Sequence, residues 1–208
     1  IYISDGENLK FEYTQNDTLQ GKLAEGEKLI YSTFTVPINK KSISGYVAST
    51  GLSLNLADVY NLPPDVSYHF SSKIDDATGY KTTSILTIPL KTTKGNVLGV
   101  LQIINGQNET GNVVPFTKDD EKMMFHFASI AAIALERAKM TRSMIMRMIS
   151  MAELYDPKET GAHVNRVGSY AVEIYETWAR RRKIPKEEID KNRDILRMAA
   201  MLHDVGKI

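Results

Sequence analysis

Histidine and aspartate stand side by side at His203-Asp204, and Lys207 follows across Gly206. Forty residues upstream of His203 is His163, with Glu159 four positions before it. Imidazole and carboxylate together suit a borderline or hard divalent ion such as iron, manganese, magnesium or zinc. Residues four apart share a face of a helix, so Glu159 and His163 can address one ion, unless Gly161 delays the helix until His163. His203 and Asp204 are adjacent, and on one regular helix they diverge by about 100°. They reach a common ion only if the helix stops there, and Gly206 is a good terminator. Lys207 is then close enough to meet a phosphate oxygen that the metal also holds. His203 closes a run containing Ile195, Leu196, Ala199, Ala200 and Leu202, where an unpaired polar group is costly. Each of these residues alone reads more simply as a surface or core group. Their combination points to metal-dependent chemistry on a phosphate.

Helices must position this set. Val164, Val167, Tyr170, Ala171, Ile174 and Trp178 fall on one helical face, which predicts that this face is buried. Pro185 suits the first turn of the next helix. Upstream, residues 118–154 contain neither glycine nor proline, Thr117 is a candidate N-cap, and Asp119, Asp120 and Glu121 fill the first turn. A seam runs in steps of three and four from Met124 through Phe127, Ala131, Ala134, Ala138, Thr141, Ile145 and Met148 to Ala152. That heptad-like period predicts pairing with another helix. One helix of this length spans on the order of 55 Å, too long for one small domain. It predicts a connector whose first half lies on a sheet.

The first 115 residues read mainly as strands. "IYIS" and "LKFEYTQ" flank Asp5-Gly6, a hairpin signal. "KLIYSTFTVPI" is a further candidate strand. Ser42 or Ser44 can cap a short helix over Ile43, Val47 and Ala48 that Gly51 ends. "LSLNLADVYNLPPD" reads as extended, and residues 65–82 as polar and turn-rich with a short helix. "TSILTIPL" and "VLGVLQIING" form a hairpin about "KTTKGN". The fold class is therefore α+β.

The chain has 208 residues, 42% of them apolar, enough for one large domain or two small ones. A net charge of +1 gives no electrostatic reason to expect a nucleic-acid polymer or an anionic membrane. No run of 18 apolar residues is present, so no membrane span is expected. The absence of cysteine removes disulfides and thiolate ligands and fits a reducing compartment, so a cytoplasmic location is expected.

"HDVGK" at 203–207, with "ETGAHVNRV" at 159–167, resembles the HD superfamily of metal-dependent phosphohydrolases, and its bacterial HD-GYP branch in particular. The resemblance implies that His163, His203 and Asp204 are metal ligands, that Glu159 is one as in a subset of the branch, and that Lys207 contacts substrate phosphate. Asp204 and Lys207 would carry the catalysis, and the substrate implied is the cyclic dinucleotide cyclic di-GMP. The family places its Gly-Tyr-Pro segment and its later ligands after the position of Ile208. The chain therefore reads as a fragment that stops inside a catalytic domain and is itself inactive.

Residues 1–138 resemble a GAF domain, carried by "INKKSISGYVASTGLSLNLADVY", "TGYKTTSILTIPLKTTKGNVLGVLQIINGQN" and "FTKDDEKMMFHFASIAAIALE". The resemblance implies an antiparallel sheet flanked by helices, a pocket for a small-molecule effector of unknown identity, and a homodimer. Asn105, Phe116, Asp120 and Glu121 fit the pattern of the cyclic-nucleotide-binding GAF domains, but Gly106 stands where they carry lysine. Their lysine–aspartate ion pair over the pocket therefore cannot form. His69 and His126 read as structural or exposed rather than as haem ligands.

The expected organisation is a GAF sensor at 1–138, a connecting helix at 118–154 that overlaps its end, and the N-terminal part of an all-α HD domain at 155–208. The expected function is a GAF-regulated, metal-dependent phosphodiesterase of a bacterial signalling system. The alternatives are a non-catalytic GAF module with a degenerate HD part, and an HD phosphohydrolase of another nucleotide.

Overall fold

The computed structural model describes residues 1–16, 34–155 and 162–203. The chain divides into two compact units, Ile1–Glu136 and Arg137–Ile208. Among the described residues, no helix is long and apolar enough to cross a membrane.

The first unit is built on a sheet of strands β1 (Tyr2–Ser4), β2 (Asn8–Phe11), β3 (Thr35–Pro37), β4 (Leu54–Leu56), β5 (Ile85–Lys91) and β6 (Val97–Ile104). Their order is β3-β2-β1-β6-β5-β4, with every neighbouring pair antiparallel. The Asp5-Gly6 turn forms as expected: Asp5 Oδ1 accepts from the amides of Glu7 (3.1 Å) and Asn8 (2.8 Å), an Asx turn that reverses the chain. Thr92 closes the β5–β6 hairpin by accepting at Oγ1 from Asn96 N (3.1 Å). Of the candidate strand "KLIYSTFTVPI", Thr35–Pro37 is strand and residues 28–33 lie outside the described residues. The stretch after Gly51 is strand only over Leu54–Leu56.

Helix α1 (Ile43–Thr50) is capped as its sequence predicts. Ser42 Oγ accepts from Gly45 N, and Gly51 at φ 66° ends the helix with its amide on Val47 O. Only glycine takes that left-handed conformation without strain. Helix α2 (Lys73–Thr78) lies in the polar stretch expected to hold a short helix.

Helix α3 (Lys118–Tyr155) is continuous. Thr117 and Asp120 cap it reciprocally: Asp120 N donates to Thr117 Oγ1 (3.2 Å) and Thr117 N donates to Asp120 Oδ2 (2.7 Å). Its first half packs on one face of the sheet, with Ala128, Ala132, Met124, Ala131 and Leu135 against Leu86, Ile88, Leu90, Leu101 and Ile103. The opposite face carries Tyr2, Leu9 and Val100 under α1, and Ile85 with Ile43, Val59, Tyr68 and Phe70. β5 is covered on both faces, which is why Ile85–Leu90 is buried throughout rather than alternating.

The expected seam mixes two faces of α3. Met124 and Ala131 pack on the sheet, whereas Phe127, Ala134, Thr141 and Met148 are exposed and Ile149 is buried in their place. Periodicity alone places residues on a face without saying what covers it.

The second unit contains the C-terminal part of α3 and helices α4 (Ala162–Arg181) and α5 (Lys186–Met201). Pro185 is the residue immediately before α5 rather than in its first turn. Arg142 of α3 pairs with Asp194 of α5 at 3.1 Å. Glu176 of α4 accepts from Arg180 (2.6 Å) and faces Arg193 of α5 (3.6 Å). The face of α4 expected to be buried is also corrected. Tyr170, Ile174 and Trp178 are exposed, and the packed residues are Gly168 and Ala179. Small residues win because they let α5 approach closely. A Cβ on Gly168 would stand 2.9 Å from Met201 Cγ.

Candidate functional site

Two places merit chemical scrutiny. The first is in the second unit, where Gly168 admits the end of α5 to the start of α4. His163 is the second residue of α4, and His203 follows the end of α5. Their ring centroids are 5.7 Å apart. Two imidazoles on one ion, with metal–nitrogen bonds of about 2.0–2.1 Å, place their centroids about 4.5–6 Å apart, so this spacing suits a shared ion. The last turn of α5 tightens: the His203 amide bonds Ala200 O at 3.3 Å, and Leu202 N reaches both Met198 O and Ala199 O. The His203 ring then places Nδ1 2.9 Å from Ala200 O. A carbonyl only accepts, so Nδ1 carries the hydrogen and Nε2 of the neutral ring carries the lone pair. That is the tautomer a metal-ligating histidine adopts, with a backbone carbonyl fixing the ring. Glu159, Asp204 and Lys207 lie outside the described residues. Among the described residues, no group of three or more histidine, cysteine, aspartate or glutamate side chains converges. The sequence thus names five residues, of which the structure brings the two described ones together.

The second place is the sheet face of the first unit opposite α3. A polar row crosses it: Tyr2 Oη donates to Gln102 Oε1 (3.4 Å), and Gln102 Nε2 donates to Thr87 Oγ1 (3.1 Å). Thr87 is fully buried. Burial also pushes the Tyr2 phenol up to about 12, so it remains a neutral donor. Tyr46 of α1 meets Tyr68 edge-on at 4.9 Å nearby. These polar groups satisfy one another inside the layer between the sheet and α1. Outside it, a cleft of about 290 Å³ opens on the α3 side beside Leu52, Pro89, Lys91 and Phe125.

The motif residues of this unit act as struts. Asn105, at φ 54°, accepts from Thr83 N (2.7 Å) and donates to Lys81 O (2.8 Å). Gly106 N donates to Ser84 Oγ (3.1 Å), which in turn donates to Val114 O (2.9 Å). This ties β5 to the small hairpin β7 (Gly106–Gln107) and β8 (Val113–Val114). Asn55 Nδ2 donates to Phe116 O (3.0 Å) and to Glu121 Oε1 (2.8 Å), and the latter bond holds Glu121 below its usual pKa. His69 and His126 are both exposed. Asp75, which no sequence motif marks, is buried and accepts from Tyr60 Oη (2.9 Å), Thr82 N (2.7 Å) and Thr82 Oγ1 (2.8 Å).

The GAF domain family profile matches residues 1–135. This chain belongs to the GAF domain family. The GAF unit is 38% identical over 100 residues to the "Dual 3',5'-cyclic-AMP and -GMP phosphodiesterase 11A" of Takifugu rubripes, a match covering 48% of this chain and 10% of that protein. It is 35% identical over 98 residues to the "Dual 3',5'-cyclic-AMP and -GMP phosphodiesterase 11" of Drosophila melanogaster, covering 47% of this chain and 6% of that one. The matched segment is therefore a tenth or less of each of these relatives. The solved "Structure of the GAF domain" is similar with a TM-score of 0.41 at 18% identity, covering 62% of this chain and 58% of that one.

Proposed function

We propose that this chain belongs to a signalling protein in which the GAF unit senses a small molecule and regulates a metal-dependent phosphodiesterase acting on cyclic di-GMP. The observation that carries the catalytic half is the His163–His203 pair at 5.7 Å, with His203 Nδ1 on Ala200 O. The histidines stand at the matching positions of the "ETGAHVNRV" and "HDVGK" segments. The GAF family assignment supports the regulatory half. The names of the matched relatives, cyclic-nucleotide phosphodiesterases, support a link between such a unit and phosphodiester chemistry.

In this reading His163, His203, Asp204 and Glu159 hold a divalent ion. When bound, the metal supplies Lewis-acid polarisation of the phosphate and activation of water. Asp204 orients the attacking water, and Lys207 balances negative charge that develops on the phosphate oxygens. The GAF effector is a small molecule. Gly106 in place of the family's lysine weighs against a cyclic nucleotide there. The working protein is a cytoplasmic homodimer.

Metal analysis of the full-length protein tests the site. His203→Ala and Asp204→Ala should each lose metal and cyclic di-GMP hydrolysis, while His126→Ala keeps both. Wild-type metal content in the first two variants sinks the assignment.

A further inference from the structure

The cleft on the α3 side of the first unit has a cause in the sheet. β4 pairs with β5 only from Leu54↔Thr87 to Leu56↔Ile85, so Ile88–Lys91 has no strand neighbour on that edge. Pro89 has no N–H, and a proline sits in a sheet where its nitrogen faces away from a ladder. The open edge therefore resists a further strand and is left to a smaller occupant. The chain leaving α1 at Gly51 and the side chains of Phe125 and Ala128 on α3 close the other sides of this space of about 290 Å³.

The lining is apolar in its depth and at its rim. Pro89 is buried and Ala128 is 2% exposed. Leu52 is 60% and Phe125 43% exposed, two large apolar side chains that face each other's cleft rather than a core. The polar side chains bias the site toward one sign of charge. Lys91 lines it and no acidic side chain does. Among the described residues no carboxylate pairs with Lys91. A Cβ on Gly51 would stand 2.7 Å from Lys91 Cε and 2.9 Å from Nζ, so the glycine lets the lysine tip lie over the end of α1. A cation is favoured at a helix C-terminus, which holds the tip there without neutralising it. Ser129 Oγ donates to Phe125 O (2.8 Å), so its proton is engaged. Ser53, also in the lining, has no hydrogen-bond partner for its hydroxyl among the described residues.

We propose that this cleft binds a small organic acid, with a single carboxylate on Lys91 Nζ and Ser53 Oγ and an apolar body against Leu52, Pro89, Phe125 and Ala128. The inference goes beyond the effector and the catalytic site proposed above and depends on neither. One ammonium and one hydroxyl donor match an acceptor-only monoanion. A phosphate dianion would keep excess charge against a single lysine, and a neutral ligand would cover the ammonium without pairing it, which is costly. Apolar walls with a few directed polar groups are what a small-molecule site requires, and the volume suits a body the size of one aromatic ring.

Phenylacetate is the probe, with phenylacetamide as its neutral match and phenethylamine as its cationic one. Titrated into the full-length protein and followed by ligand-observed NMR, phenylacetate should bind saturably, the amide at least fivefold more weakly, and the amine not at all. Lys91→Met keeps the stem and removes the charge, and Leu52→Glu sets a like charge at the rim. Both change exposed side chains, and each should raise the phenylacetate Kd at least fivefold. Lys94→Met, at the tip of the β5–β6 hairpin and outside the cleft, should leave it unchanged. Absence of saturable phenylacetate binding overturns the site. Binding that Lys91→Met and Leu52→Glu leave at the wild-type Kd places the probe elsewhere and overturns it equally. An amide that binds as tightly as the acid overturns the anionic class of ligand.

Discussion

The Asp75 carboxylate accepts from Tyr60 Oη and from the amide and hydroxyl of Thr82. Its removal strands three donors near the start of β5. Asp75→Ala should therefore destabilise the first unit by about 3 kcal/mol, read by urea denaturation. Tyr2 gives an alkaline signature. Burial raises its phenol from 10.0 to about 12, so between those values the folded chain keeps a proton that the unfolded chain releases. Stability is then full below pH 10 and falls as pH rises toward 12, by roughly 2–3 kcal/mol in total. Tyr2→Phe should remove this component from a Tm–pH profile. Asp120 and Glu121 act at the acid end. The Thr117 amide holds Asp120 low, and the Asn55 amide group holds Glu121 low. Their stabilisation is present above the unfolded carboxyl values, near pH 4, and is lost as pH falls through the lower folded values. Asn55→Ala should make the acid limb of the profile shallower.

At the scale of elements, the α4–α5 hairpin depends on a missing side chain. Gly168→Val places methyl groups where Met201 Cγ already lies 2.9 Å from the Cβ position. Overpacking of this kind costs about 1–3 kcal/mol. The same change should spread His163 and His203 and, on the proposed metal site, weaken metal retention in the full-length protein. Trp178 is the sole tryptophan and sits on α4 with Arg182 stacked 4.9 Å from its ring centroid, so its fluorescence reports this hairpin. By contrast, Ile174→Glu on the exposed face should shift stability by less than about 0.5 kcal/mol. A larger loss would mean that another segment covers that face.

At the scale of the molecule, each unit has its own interior. The clusters around Leu9, Leu86 and Ile43 lie wholly in the first unit, and buried Ile149, Ala179, Ile189 and Met201 in the second. Separate cores predict separate unfolding transitions. Gly168→Val should lower the midpoint seen by Trp178 fluorescence and leave that of the strand signal in far-UV circular dichroism in place. Asp75→Ala should do the reverse. Movement of both midpoints together in either variant would show that α3 makes one cooperative body of the two.

Local chemistry was legible in the sequence. Asp5-Gly6, Ser42, Gly51 and Thr117 act through their own nearby backbone, so each turn and cap could be read from residue type and spacing. The motifs also named His163 and His203, whose ring centroids stand 5.7 Å apart; their metal role belongs to the proposed function. Burial was not legible. Helical period groups Met124 with Phe127, and Val164 with Trp178, but only the partner surface decides which of them is covered. The sheet claimed Met124 and left Phe127 to solvent, and Gly168 turned α4 so that Tyr170, Ile174 and Trp178 face outward. Asp75 stayed hidden for a related reason. Its partners lie on a loop and at a strand entry, and no sequence period records a carboxylate whose role is set by what folds around it.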